Sequence, residues 1–392
     1  MRIALVIERA YPRLGGAETS VLELSAALRS TGLEVDIIAA KGEQGARHTH
    51  LLCQDVPTKR VGLEQFGDAI SEFLSKNQYD IIHSVLPFSF ADIYQPRGGT
   101  YPEAIARNIA SYSNRYTRAY KKLTVFANQQ RNALAKAEQL ICNSPAGPIV
   151  AALSNYVARH FKNHYAIADN RLVVIRNGVL TDKTPNFSKT ERFRSQIMVQ
   201  LKLKEADRPV FFLFVANNFR LKGLEFLIRA MQMTVASNPE QIPILIVAGS
   251  GKVKPYKQLA EKLNVAWKIA FLDYIRDIRS VLEFSDVAVL PTFYDPSSRF
   301  ILEALAADKP VITTKFNGTV EMFANNRHGK IIDMPENISA LAEAIGYFTN
   351  IENIQKAATA ILTDNLREQI SVSRVAKELK PLYESVLERR CR

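Results

Sequence analysis

Cysteine is scarce in this sequence: Cys53, Cys142 and Cys391 are odd in number, far apart and in no C-x-x-C pair. Such spacing excludes a disulfide framework and a thiolate zinc site, and suits a reducing compartment. Long apolar runs are missing as well. The longest, Val210 to Ala216, falls far short of the ~20 residues a spanning helix needs. At the N-terminus the apolar run from Ile3 to Ile7 meets Glu8 and Arg9, too soon for a signal-peptide core, and reads as a first strand. Any membrane contact is therefore expected to be peripheral. There is no tandem repeat, no low-complexity tract, no G-x-G-x-x-G fingerprint and no recognised nucleic-acid-binding module. The six histidines are scattered and show no metal-ligand spacing, so neither metal nor cofactor is expected.

What remains is an ordinary globular composition, with 47% hydrophobic and 23% charged residues, 17 glycines and 17 prolines. A length of 392 residues implies two or three domains. The 51 Lys and Arg against 39 Asp and Glu leave a net charge of +12, which favours a polyanionic partner: nucleic acid, an acidic membrane face or a phosphorylated substrate. Strand-like and helical patterns alternate through 3–7, 17–30, 35–39, 67–76 and 81–85. They restart at 210–215 and continue through 224–236, 244–248, 257–263, 287–290, 299–306 and 311–314. Alternation of this kind predicts βαβ units, and the restart predicts an α/β chain of two doubly wound, Rossmann-like domains facing across a cleft. The linker falls within the polar stretch 177–209, which holds helix-like material at 191–201. The expected division is 1–180 and 181–374, with an amphipathic helix in 366–392 whose residues 375–392 pack back on the first domain.

Three motifs follow strands, where open α/β sheets place ligands. Gly15-Gly16-Ala17-Glu18 opens the first helix after the turn Tyr11-Pro12-Arg13-Leu14; glycines there allow a phosphate to approach backbone N–H groups, or they are plain loop residues. Tyr294-Asp295-Pro296-Ser297-Ser298-Arg299 precedes Phe-Ile-Leu-Glu303-Ala-Leu. Asp295 reads as an N-cap with the helix starting at Pro296, which would leave the amides of Ser297, Ser298 and Arg299 for a polar ligand. Glu303 lies two turns on, facing the same cleft or merely solvated. Arg220-Leu221-Lys222-Gly223 puts two cations after the first strand of the second half, for a diphosphate or for solvent.

Together these elements resemble the family 4 retaining glycosyltransferases of the GT-B fold. The resemblance extends through Tyr79-Asp80-Ile81-Ile82-His83, the loop from Asp273 to Asp277, Lys309-Pro310-Val311-Ile312 and Asn317-Gly318-Thr319-Val320-Glu321. Within the family it is to the lipopolysaccharide-core α-glucosyltransferases. The resemblance implies a Glu-x7-Glu pair, here Asp295 and Glu303, holding donor sugar and ribose, with Gly15, Gly16, Pro296, Ser297, Ser298 and Arg299 as further donor contacts. Arg220 and Lys222 would bind the diphosphate, and Tyr274 and Arg276 would lie by the base. His83, Arg97, Gly98, Gly99 and Thr100 are acceptor-side candidates, each with a structural alternative. Asp295 is one methylene shorter than the family's Glu, and Pro296-Ser297-Ser298 replaces the usual glycine-containing run.

The function so implied is metal-independent, retaining transfer of a hexose, glucose first, from a UDP-sugar to a lipopolysaccharide-core or related glycolipid at the inner face of the cytoplasmic membrane. Mannosyl or N-acetylglucosaminyl transfer to another glycan, or a non-catalytic glycan- or nucleic-acid-binding role, are the alternatives. A basic stretch from Tyr101 to Lys136 carries seven cations (Arg107, Arg115, Arg118, Lys121, Lys122, Arg131, Lys136) against Glu103, interleaved with Tyr112, Tyr116, Tyr120 and Phe126. It suits an anionic membrane and its glycolipid better than nucleic acid.

Overall fold

In a computed structural model of the chain, the apolar runs at 3–7 and 210–215 become the central strands of two parallel sheets. Residues 1–11, 15–58, 60–182, 184–237, 240, 242–272, 274–275 and 277–390 are described. Arg13, Asp273, Arg276 and Cys391 lie outside them. The first sheet comprises β1 (Arg2–Ala10), β2 (Glu34–Gly42), β3 (Thr49–Leu51), β4 (Ile81–Ser84), β5 (Ile93–Tyr94), β6 (Ile149–Ala152) and β7 (Leu172–Val174), in the order β3-β2-β1-β4-β5-β6-β7. The second comprises β8 (Val210–Val215), β9 (Pro243–Ala248), β10 (Ile269–Leu272), β11 (Val287–Leu290), β12 (Val311–Thr314) and β13 (Gly329–Ile332), in the order β10-β9-β8-β11-β12-β13. In each, chain order reverses beside the first strand, so the switch points fall between β1 and β4 and between β8 and β11.

One unit is formed by Met1–Ile109, Asn114–Val179 and Ser371–Arg392, the other by Ala110–Ser113 and Leu180–Ile370. The sequence places the return near 375; the structure puts it at Ser371, where the Val372 N–H donates to Val179 O at 2.9 Å. Gly178 makes this approach possible, because a Cβ there would sit 2.6 Å from Ser371 O. The helix expected over 191–201 starts earlier, as Phe187–Gln200, with Asn186 capping the Lys189 N–H. The segment 366–392 is two helices, Leu366–Gln369 and Val372–Arg390, rather than one.

In the first unit, Ile3, Leu5 and Ile7 are buried against Val21, Leu24 and Leu28 of the helix Gly16–Ser30 and against Val375, Leu379 and Tyr383 of Val372–Arg390. On the other face Ala4, Val6 and Ile38 meet Phe66 and Ile70 of Leu63–Lys76. Each fully buried large side chain is worth roughly 1.5–3 kcal/mol, so the terminal helix is held by its apolar stripe. Cys53 and Cys142 are buried free thiols.

The basic stretch forms three helices, Tyr101–Ala110, Arg115–Leu123 and Gln129–Asn143. Its base is fastened by Glu138, whose buried carboxylate accepts hydrogen bonds from Tyr94 Oη (2.7 Å), Tyr165 Oη (2.5 Å) and the Tyr101 N–H (2.8 Å). Burial pushes this acid up to about 7. The middle helix is different in kind. Asn114 caps it through the Tyr116 and Thr117 N–H groups, no acid lies within it, and Tyr116, Tyr120 and Leu123 are 75%, 61% and 80% exposed, with Phe126 just beyond at 81%. Among the described residues no helix is long and apolar enough to cross a membrane.

Candidate active site

The loops after β8 and β11 meet at the switch point of the second sheet. After β8 the chain turns through Asn217 to Gly223, with the Leu221 N–H on Asn218 Oδ1 (3.2 Å) and the Gly223 N–H on Arg220 O (3.1 Å). Gly223 has φ +78°, and a Cβ there would lie 2.1 Å from Pro291 O, so a side chain would push the two loops apart. They are joined further by the Phe293 N–H on Leu221 O at 2.9 Å.

This close approach brings Lys222 and Asp295 together. Lys222 Nζ is 2.7 Å from Asp295 Oδ2 and donates to Tyr294 O at 2.9 Å, and both side chains are largely buried, 19% and 14% exposed. Two residues that the sequence assigned separate roles thus form one ion pair. Arg220 lies beside them in sequence but is engaged elsewhere: its guanidinium stacks 3.6 Å from the centre of the Tyr112 ring and donates to Ser111 Oγ, in the short segment 110–113 of the same unit. Burial lowers its pKa, so an anion has much to offer it.

The helix does not start at Pro296. Asp295 is bridged to Asn317, with the Asp295 N–H on Phe316 O and the Gly318 N–H on Asp295 O, both 2.9 Å. The chain bends at Pro296 and Ser297, and Ser298 is the actual N-cap, accepting the Ile301 N–H, so that the helix is Arg299–Leu305. The Ser297 and Ser298 amides are therefore not left for a ligand. Ser297 donates to Asp295 Oδ1 (3.2 Å) and Ser298 to Asn317 Oδ1 (3.1 Å). Pro296 and Ser298 are buried. Glu303 is paired with Arg299, 2.9 Å away, at 23% exposure, so it is neither solvated nor uncompensated. Tyr274, after β10, is 45% exposed. The position of Arg276 lies outside the described residues.

In the first unit, Gly15 precedes the helix Gly16–Ser30, but Glu18 in its first turn is paired with Arg9 at 3.2 Å and lies close against Gly15. An internal carboxylate already meets the positive end of that dipole, which weakens the case for phosphate there. His83 does not line an open surface. It is 1% exposed, its Nδ1 is 2.8 Å from Tyr383 Oη, and burial together with the Arg97 charge pushes it down to about 3. Thr100 and Gly99 are also buried, whereas Gly98 is exposed and Arg97 donates to Asn177 Oδ1 at 3.3 Å. Among the described residues no three His, Cys, Asp or Glu side chains are grouped to hold a metal ion. Reasoning from sequence missed Asn317 as a site residue; its signal was only a polar residue beside Gly318 after a strand.

Comparison with known proteins bears on the family and the fold. The signature described as Glycosyltransferase Family 4 matches residues 14–183, and that described as Glycosyl transferases group 1 matches residues 199–362. The lipopolysaccharide glucosyltransferase WaaG of Escherichia coli (strain K12) is 22% identical over 88% of each chain. An uncharacterized glycosyltransferase of Methanocaldococcus jannaschii, MJ1607, is 27% identical, but over only 56% of this chain and 55% of its own length. A crystal structure of Anabaena HepE in complex with UDP and glucose superposes with a TM-score of 0.71 over 98% of this chain and 100% of that one, at 18% identity. With two parallel-sheet units and signatures that together match residues 14–183 and 199–362, the chain belongs to the group 1 glycosyltransferases of GT-B fold.

Proposed function

We propose that the enzyme transfers a hexose, glucose in the first instance, from a UDP-sugar to a hydroxyl of a glycolipid acceptor, with retention of anomeric configuration and without a metal. The observation that carries this is the Lys222–Asp295 pair between the loops after β8 and β11, with Arg220 two residues from Lys222. HepE supports UDP and glucose as the donor class, and WaaG supports a lipopolysaccharide-type acceptor.

In the reaction the bond from the anomeric carbon to the β-phosphate oxygen breaks, its electron pair leaving with UDP. Positive charge grows on the sugar and negative charge on the diphosphate. Lys222 and Arg220 meet that negative charge; fixed charges of this kind stabilise a transition state because they need no reorganisation. Asp295 holds Lys222 beside the donor, and Glu303, oriented by Arg299, takes the ribose hydroxyls. The acceptor oxygen bonds to the same face of the anomeric carbon, and its proton passes to the departing phosphate. The helix Arg115–Leu123 docks the enzyme on an anionic membrane through Arg115, Lys121 and Lys122 and the exposed Tyr116, Tyr120 and Leu123.

A panel of UDP-, GDP- and ADP-sugars with nucleotide release as readout tests the reading. Release of UDP above the others supports it. Preference for GDP- or ADP-sugars would replace the donor assignment, and binding of donor without release would mean a glycan-binding protein.

A further inference from the structure

The loop that carries Asp295 is closed at its far end by one side chain. Asn317 is fully buried, and its Oδ1 accepts two backbone N–H groups, from Ser298 (3.1 Å) and Thr319 (3.2 Å). On the other side its Nδ2 donates to Thr313 Oγ1 at 3.1 Å. Thr313 spends its own proton on Leu290 O at 2.8 Å, so its oxygen can only accept from Asn317, and this fixes which end of the carboxamide is which. Leu290 and Thr313 form the last pair of the β11–β12 ladder. Asn317 thus ties the bent stretch before Ser298 to the rigid end of the sheet.

We propose that Asn317 is a positioning residue for Lys222. The two backbone bonds between Asp295 and 316–318 set the Asp295 main chain, and the carboxamide closes the far end of the same stretch at Ser298. Asp295 so held takes the Ser297 N–H on Oδ1 and Lys222 Nζ on Oδ2, leaving its carboxylate little rotational freedom. Asn317 therefore determines where the ammonium stands when charge develops on the leaving diphosphate. The inference rests on the proposed role of Lys222. It assigns the Ser298 amide to the protein's own scaffold, and it makes loop placement, rather than a free amide, the means by which this segment serves the donor.

Asn317→Leu leaves two buried N–H groups without an acceptor, whereas Asn317→Asp keeps Oδ1 for both, at the cost of the Nδ2 donor: the Thr313 hydroxyl must turn from Leu290 O to donate to the second carboxylate oxygen. With UDP-glucose as probe, Asn317→Leu is expected to lower kcat about tenfold, a fraction of what two unsatisfied buried N–H groups cost, the rest falling on stability, while the donor KM moves less. Asn317→Asp should recover part of that loss, because the Ser298 and Thr319 N–H groups keep their acceptor. Should Asn317→Leu fail to fold, Thr313→Val removes only the anchor and should give a smaller fall of the same kind. Hydrogen exchange at the Ser298 and Thr319 amides is read on the same proteins: protected in wild type and Asn317→Asp, exposed in Asn317→Leu. Unchanged kcat in a folded Asn317→Leu, equal damage from Leu and Asp, or unchanged exchange would overturn the proposal. A wild type that releases no nucleotide from any donor would instead remove the transferase reading, and the exchange pattern would still decide whether Asn317 holds the loop.

Discussion

At the scale of single residues, the candidate site is a set of charges that already have partners. Lys222 has Asp295, Glu303 has Arg299, and Arg220 has the Tyr112 face. Ligand binding then exchanges one partner for another, so removing one member of a pair affects both. Lys222→Ala is expected to reduce kcat about a hundredfold, in the range seen when one transition-state charge contact is lost, and steady-state kinetics with UDP-glucose would measure it. Retained turnover would remove the leaving-group role. Glu303→Ala should act mainly on donor binding, weakening UDP about tenfold by calorimetry, because a charge-assisted hydrogen bond is lost from the ground state. Unchanged UDP affinity would remove the ribose assignment. These residue types were legible in the sequence because each follows a strand. Their pairings were not, since Lys222 and Asp295 are brought together only by the close packing at Gly223.

At the scale of elements, most strands and helices announce themselves by period and by apolar runs, and the central strands β1, β8, β9 and β11 are the plainest. The strands β4, β11 and β12 are only four residues long and still show, whereas β3, β5 and β7 are two or three residues long and too brief for a pattern to show. The helix after β11 was misplaced by three residues for a definite reason. Asp-Pro is a good local start signal, but the bridge between Asp295 and Asn317 competes with it and delays the helix to Arg299. Replacing Lys121 and Lys122 by Glu should strip binding from phosphatidylglycerol vesicles, each Lys near the surface contributing about 1 kcal/mol. Sedimentation showing equal binding to phosphatidylcholine, or none to either lipid, would end the docking idea. The helix Val372–Arg390 is tested by pH. His83 in the folded chain is pushed down to about 3 beneath Tyr383, so between that value and its ordinary 6.5 the unfolded chain binds a proton that the folded chain refuses. Stability therefore falls as pH drops through this window, and His83→Gln should flatten the loss of Tm between neutral pH and pH 5.

At the scale of the whole molecule, two sheets of the same winding order each offer a switch point. The charges of the proposed leaving-group site gather at the second. The net charge of +12 is unevenly spread: seven cations face one acid between Tyr101 and Lys136. An excess so concentrated is consistent with a phosphorylated glycolipid and its membrane, and the exposed aromatic side chains of Arg115–Leu123 give it a surface on which to act. If Lys222 and Arg220 neutralise the diphosphate, activity should survive EDTA within about twofold, because no Lewis acid is then required. Strong inhibition reversed by a divalent ion would contradict that. The most direct test of the central claim needs no knowledge of the acceptor: proton NMR of the sugar first released from UDP-glucose by the enzyme in water. Release of UDP with α-glucose appearing before mutarotation is the predicted result; no release from any nucleotide-sugar, or β-glucose appearing first, would contradict it.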